Sequence, residues 1–185
     1  MVGRMASVYY TGKGDSGTTG LLGKGRVRKN DKIIEAIGEI DELNSFIGLS
    51  RVYVNDQVVS GILKYIQNDL FVIGANLASL NTPLAKGFEI KLESIERLEN
   101  GIRLLGEKTP ELRQFVIPSG SEAALYLHIA RSVARRAERR IEAIPKKYAV
   151  SSEMRTYMNR LSSFIFVAAL YLNHSQGIVE EHPTY

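Results

Sequence analysis

The stretch whose residue types come closest to chemistry is Thr11 to Gly25, TGKGDSGTTGLLGKG. Six of its fifteen residues are glycine, three are threonine, and Asp15 and Ser16 stand among them. Glycine gives up too much backbone entropy on ordering for such a run to pack a core or sustain a helix. What the run can do is turn tightly and aim several backbone N–H groups into one concavity, with hydroxyls beside them, as proteins do when they cradle phosphate. The segment Lys24 to Lys32, KGRVRKNDK, then adds five cations within nine residues. A flexible, solvated leader has the same composition. The run is not a Walker A loop: no glycine lies five residues before Gly23, and Lys24 is followed by glycine rather than Ser or Thr. A phosphate clamp of another design stays open.

A second candidate is RSVARRAERR, Arg131 to Arg140, in which all five basic residues are arginine. At helical spacing Arg131, Arg135 and Arg139 share a stripe with Glu138 and Glu142, while Val133, Ala137, Ile141 and Ile144 face the core. One reading is a solvated face held by Arg–Glu pairs three or four apart, each adding roughly 0.2–0.5 kcal/mol. The other is that guanidinium forks wait for bidentate phosphate or carboxylate partners. Downstream, Arg155, Asn159, Ser162 and Phe166 form a polar line with one aromatic, suited equally to a nucleotide and to an interhelical contact. His128, His174 and His182 lack the Glu-x-x-His spacing of a di-metal bundle, so no metal site is expected. With no cysteine in the chain, there is no disulfide, thiolate metal site or cysteine nucleophile.

These residues need a frame, and from Asp31 onward the pattern is helix after helix. Asp31 caps a first helix to about Val52, with the stripe Ile33, Ile37, Ile40, Leu43 and Ile47. Asn44 interrupts that stripe, and Gly38, Ser45 and Gly48 line a flank around Asp41 that another backbone can approach. The second helix, about Val58 to Leu80, repeats Val59, Leu63, Ile66, Leu70, Ile73, Leu77 and Leu80 as a heptad seam. Asn81 to Gly87 ends it. A third helix runs from about Ile90 to Gly106 on Ile95, Leu98, Ile102 and Leu105, and Thr109 to Gly120 is a loop. Ser119 and Ser121 compete to cap the fourth, which Pro145 stops after about Ile144. Ser151 or Ser152 opens the fifth, to about Ser175, with Met154, Met158, Leu161, Ile165 and Leu172 as its core stripe. No segment alternates long enough for a sheet. The expectation is an all-α bundle of five helices with a glycine-rich N-terminal arm, divided as arm 1–30, bundle 31–176 and tail 177–185.

At 185 residues, 44% apolar and 24% charged, the chain is expected to form one globular domain. No apolar run is long enough to span a bilayer, and Met1 to Tyr10 lacks a signal-peptide core, so a cytoplasmic location is expected. A net charge of +4 favours an anionic partner. The two basic clusters, Lys24 to Lys32 and Arg131 to Arg140, suit a polyphosphate as well as a nucleic acid. A nucleic-acid binder, though, would need aromatics among the cations or a fully exposed reading helix, and Arg131 to Arg140 contains no aromatic.

Five blocks together resemble the PduO-type ATP:cob(I)alamin adenosyltransferases: YTGKGDSGTTGLL (Tyr10 to Leu22), EAIGEIDELNSFIG (Glu35 to Gly48), FVIPSGS (Phe115 to Ser121), HIARSVARRAERR (His128 to Arg140) and NRLSSFIFVAA (Asn159 to Ala169). The resemblance implies an up-and-down five-helix bundle of ferritin-like or cobalamin adenosyltransferase-like type, assembled as a homotrimer with ATP between neighbouring subunits. It implies transfer of the 5′-deoxyadenosyl group of ATP to reduced cobalamin with release of triphosphate, and Mg²⁺ accompanying ATP. The implied ATP-binding residues are Thr11, Gly12, Lys13, Gly14, Asp15, Gly17, Thr18, Thr19 and Lys29 from the arm, and Arg135, Arg136, Glu138, Arg139 and Asn159 from the bundle. Asp41 and Arg131 are implied to pair across the subunit boundary, and Phe115 to lie against the corrin and displace its lower axial ligand. Ser163 departs from the family's usual aspartate, and Ser121 from a common glycine. An electron-donating reductase is the further partner implied; no membrane or nucleic-acid partner is. The alternative reading is an ATP-binding helical sensor module without transferase activity.

Overall fold

In the computed structural model, residues 10–23 and 25–184 are described; Lys24 of the basic segment, most of Met1 to Tyr10 and Tyr185 lie outside them. Five helices carry the fold: α1 (Lys32–Tyr53), α2 (Gln57–Ser79), α3 (Leu92–Gly106), α4 (Glu122–Glu142) and α5 (Ser152–Ser175). Four begin at side-chain caps that relieve an otherwise orphaned backbone N–H. Asp31 Oδ1 accepts from Ile33 at 2.9 Å and Asp56 Oδ1 from Val59 at 2.9 Å, opening α1 and α2. Ser121, rather than Ser119, caps α4 through Ala124, and Ser151 caps α5 through Met154. Ser119 is instead used through its carbonyl, which accepts from Asn173 Nδ2.

The heptad seam of α2 is buried along its whole length, and the stripes of α1, α3, α4 and α5 close on it, with only Ile37 and Ile102 partly buried. α1 packs against α2 and α4, α4 against α5, and α5 against α3. At Gly101 the α3 backbone comes so near α5 that a Cβ would sit 2.8 Å from the Phe164 ring, which explains a glycine inside a helix. Asn44 interrupts the apolar stripe for a reason. It and Gln67 exchange side chain-to-backbone hydrogen bonds between α1 and α2, and Arg51 adds a 2.6 Å bond to Gln67 Oε1. Burial raises the Asp69 carboxyl above its usual range, opposed by hydrogen bonds from Tyr157 and Ser94 and by the Arg97 charge. That cluster ties α2, α3 and α5 together.

Two local expectations are corrected. The arm contains a small antiparallel hairpin of β1 (Thr18–Gly20) and β2 (Arg26–Arg28), pairing Thr18 with Arg28 and Gly20 with Arg26. Three-residue strands are too short to show alternation, so periodicity could not reveal them. Gly23, at φ 69°, turns the hairpin against Thr82 and Leu84, beside the short 3-10 helix Pro83–Gly87 that follows α2. Secondly, the flank around Asp41 is not uniform. Gly38 faces open space, but Gly48 is turned to Gln67 of α2 and serves the bundle's own packing.

Candidate functional site

A cleft of about 420 Å³ opens between the loop after α3, the outer face of α4 and α5. Phe115 and Val116 form one wall, Arg131 and Arg135 another, and Ser162, Ser163 and Phe166 the third. α4 places its two arginines one turn apart on the same side, as the sequence stripe requires. Phe115 stands 79% exposed, a large aromatic ring offered to solvent from irregular backbone. No carboxylate lines the cleft. Ser163, where the resemblance led one to expect aspartate, is part of that wall and leaves the charge there wholly positive.

The electrostatics sharpen the point. Among the described residues neither Arg131 nor Arg135 takes part in an ion pair, and Arg131 Nε is buried without a hydrogen-bond partner. Burial, and then the neighbouring Arg135 charge, hold the Arg131 guanidinium below its usual value. It stays protonated all the same, because arginine titrates so far above neutrality. Its Cζ lies 5.5 Å from the centre of the Phe166 ring, whose other neighbour is His128 at 6.1 Å. His128 is 3% exposed with neither ring nitrogen partnered, and burial followed by the Arg131 charge lowers its pKa to about 4. The imidazole is therefore neutral near pH 7. Two unpaired guanidinium groups beside a bare aromatic wall suit a multiply charged anion attached to an aromatic or macrocyclic body.

The remaining arginines of α4 are used differently. Arg136 reaches back to α1, pairing with Glu39 at 2.6 Å and with Glu42, and Arg140 pairs with Glu35 and Glu39. So the Arg–Glu face exists, but it is interhelical rather than within α4. Arg136 faces a wider groove of about 780 Å³ between α1 and α4, away from Arg131 and Arg135. Arg139 donates to the Arg135 carbonyl. Glu138 accepts from Asn159 Nδ2 at 3.2 Å, and Arg160 holds the other end of that amide at 2.8 Å while pairing with Glu99. Glu138 and Asn159 are thus joined, near the cleft but outside its lining.

The arm folds as a compact polar loop. Asp15 N and Gly17 N donate to Gly12 and Gly14 carbonyls, with Gly12 and Gly17 at positive φ where a side chain would be strained. Lys29 bends over the loop: its Nζ lies 3.2 Å from where a Cβ on Gly14 would be. Arg26, which sequence reasoning did not single out, holds the loop shut. Its Nε donates to Thr18 Oγ1 at 3.0 Å, and Nη2 to the carbonyls of Lys13 at 2.5 Å and Thr18 at 2.8 Å. Thr11, Lys13, Asp15, Thr18 and Thr19 stand around this loop, yet none of them lines the Phe115 cleft of the same chain. Asp41 is exposed on α1 and makes no ion pair with Arg131 within the chain.

Asn173 carries no motif in the sequence. It is fully buried, and its amide spans the Phe115 loop, where Ser121 N donates to Oδ1 and Nδ2 donates to the Ser119 carbonyl. Gly120, at φ 102°, passes so close to it that any Cβ would collide. A buried polar residue late in an apolar helix was the available signal. No group of three or more His, Cys, Asp or Glu side chains with metal-binding geometry occurs among the described residues, and none of the helices described is long and apolar enough to cross a membrane.

Comparison with known proteins bears on this geometry. Residues 9–172 match the family model described as cobalamin adenosyltransferase. The chain is 41% identical over 173 residues to a corrinoid adenosyltransferase of Bacillus subtilis (strain 168), covering 91% of this chain and 88% of that protein. It is 38% identical over 177 residues to a cobalamin adenosyltransferase of Cupriavidus metallidurans, covering 95% and 94%. Its fold is similar to that of a phenylalanine-to-alanine variant of the PduO-type ATP:corrinoid adenosyltransferase from Lactobacillus reuteri, complexed with cobalamin and ATP. There the TM-score is 0.89 at 34% identity, covering 95% of this chain and 99% of that one.

Proposed function

The chain belongs to the cobalamin adenosyltransferase family, and we infer that it transfers the 5′-deoxyadenosyl group of ATP to the cobalt of a reduced corrinoid. In this reaction the cobalt(I) electron pair attacks C5′ of ATP, a Co–C bond forms, and the C5′–O bond breaks. The bonding pair departs with triphosphate, and cobalt ends formally as Co(III). Cobalt(I) is itself the nucleophile, so the protein needs no serine or cysteine. Its tasks are to hold C5′ over cobalt and to stabilise charge on the leaving group. The observation that carries this reading is the cleft in which Phe115 faces the unpaired Arg131 and Arg135.

Phe115 supplies a dry wall against the corrin face and takes the place of the lower axial ligand, which makes Co(II) easier to reduce. Arg135, Arg139 and the Asn159–Glu138 pair orient the nucleotide. Lys29 and the loop Thr11 to Thr19, with Asp15, hold the triphosphate, which arrives with Mg²⁺ as part of the substrate. A triphosphate that recruits Arg136 must displace Glu39 or Glu42 from it. Since the arm loop and the cleft do not meet within one chain, the site is completed between copies, in a homotrimer in which Asp41 of one copy pairs with Arg131 of the next. The location is cytoplasmic, and a reductase delivers the electron.

The test is anaerobic incubation with MgATP and chemically reduced cobalamin, following the corrin spectrum and the phosphate products. Adenosylcobalamin and triphosphate should appear one for one. ATP binding without triphosphate release would leave an ATP-sensing module instead. Phe115→Ala should keep ATP affinity and lose turnover from Co(II); equal turnover would remove Phe115 from the mechanism.

A further inference from the structure

Residues 178–182, beyond α5, have so far had no part in the reaction. They do not run free. Ile117 N donates to the Glu181 carbonyl at 2.8 Å in a single antiparallel bridge. Asn173 Nδ2 donates to Glu180 Oε1 at 3.1 Å, so the buried amide that grips the Phe115 loop also grips this segment. His182 Nδ1 lies 2.8 Å from the Phe115 carbonyl oxygen. A carbonyl only accepts, so Nδ1 must carry the proton. The contact thus sets which nitrogen faces the carbonyl as well as the position of the ring.

Phe115 itself lacks any such support from packing, its side chain being mostly exposed and its backbone irregular. An exposed ring on an unbraced loop samples several positions, and a wall of that kind excludes a ligand poorly. We propose that His182 is a positioning residue for Phe115: the segment 178–182 clasps the loop from behind and sets the pose in which the ring meets the corrin. The proposal rests on the adenosyltransferase reading and adds a residue to it. His182 is not among the residues lining the cleft; it acts through the Phe115 backbone.

The experiment compares the native chain with His182→Ala and His182→Asn, the latter offering an amide N–H near the place of Nδ1. ATP affinity is measured by calorimetry. Bound Co(II)cobalamin is examined by electron paramagnetic resonance for the fraction lacking a lower ligand. Turnover is followed both from Co(II) with a chemical reductant and from Co(I) reduced beforehand. For the loss of one hydrogen bond, His182→Ala should lower turnover from Co(II) about three- to tenfold. The fraction without a lower ligand should fall in step, while ATP affinity and turnover from Co(I) stay within about twofold. His182→Asn should restore most of both losses. The proposal is overturned if the alanine variant matches the native spectrum and rates, if asparagine does not rescue, or if ATP affinity and melting temperature drop alongside turnover. A native chain that forms no adenosylcobalamin would instead sink the functional reading.

Discussion

The arm and the bundle of this molecule are built on opposite principles. In the bundle, five apolar stripes bury one another, and fully enclosed side chains such as Tyr157, Phe164, Leu63 and Leu70 fix the helices. In the arm, between Tyr10 and Asn30, none of the described residues is fully buried, and the long-range side-chain hydrogen bonds described come from a single guanidinium, that of Arg26. A core resists deformation because it is close-packed. A polar loop in water keeps its shape only by hydrogen bonds worth little net each. The difference teaches where binding energy would act on the proposed reading: the bundle presents Arg131 and Arg135 in advance, whereas the arm is the part a triphosphate would tighten.

The largest effect expected from breaking this contrast is on the bundle's side. Phe164→Ala empties a fully enclosed site against Gly101 and should cost about 3–5 kcal/mol. That corresponds to a fall in melting temperature of about 10 °C, read by calorimetry. An unchanged melting point would mean the core is not the rigid member of the pair.

Next in size is an acid effect at His128, which packs against Phe166 of the cleft. In the unfolded chain His128 takes a proton near its ordinary 6.5, but in the folded chain only near 4. Because the folded value is depressed, its contribution is present above pH 6.5 and is lost as the pH falls through that interval, by up to about 3 kcal/mol. Urea unfolding between pH 7 and pH 4 should show the loss, and His128→Leu should flatten it.

The smallest effect sharpens the arm's side. Arg26→Ala should weaken ATP binding about tenfold, or ~1.4 kcal/mol, with melting temperature unmoved by more than about 1 °C. Calorimetric titration with MgATP checks it, and a large drop in melting temperature would show the arm to be part of the core after all.

How much of this was legible in the sequence follows from the same contrast. The helices were readable to within a few residues because burial imposes a period, and the α2 heptads and the caps at Asp31, Ser121 and Ser151 all appear in the structure. Arg131 and Arg135 on one side of α4 followed from helical spacing alone. Arg136 did not, because a position one residue on is rotated by about 100°, and its partners Glu39 and Glu42 lie nearly a hundred positions earlier. The hairpin, Arg26 and the clasp at 178–182 were hidden for a related reason. Their geometry comes from single hydrogen bonds between distant segments, which leave no periodic trace.

The claim on which the account rests is that the arm of one copy and the cleft of another make each site. Two variants test it, Lys29→Ala in the arm and Arg135→Ala in the cleft, each expected to be nearly inactive alone. They are unfolded together in equal amounts, refolded and assayed for adenosylcobalamin. Random mixing in a ring of copies should restore about a quarter of native activity, because each site then draws its two halves independently. Activity no greater than the sum of the two variants, in a mixture shown to contain mixed assemblies, would contradict it.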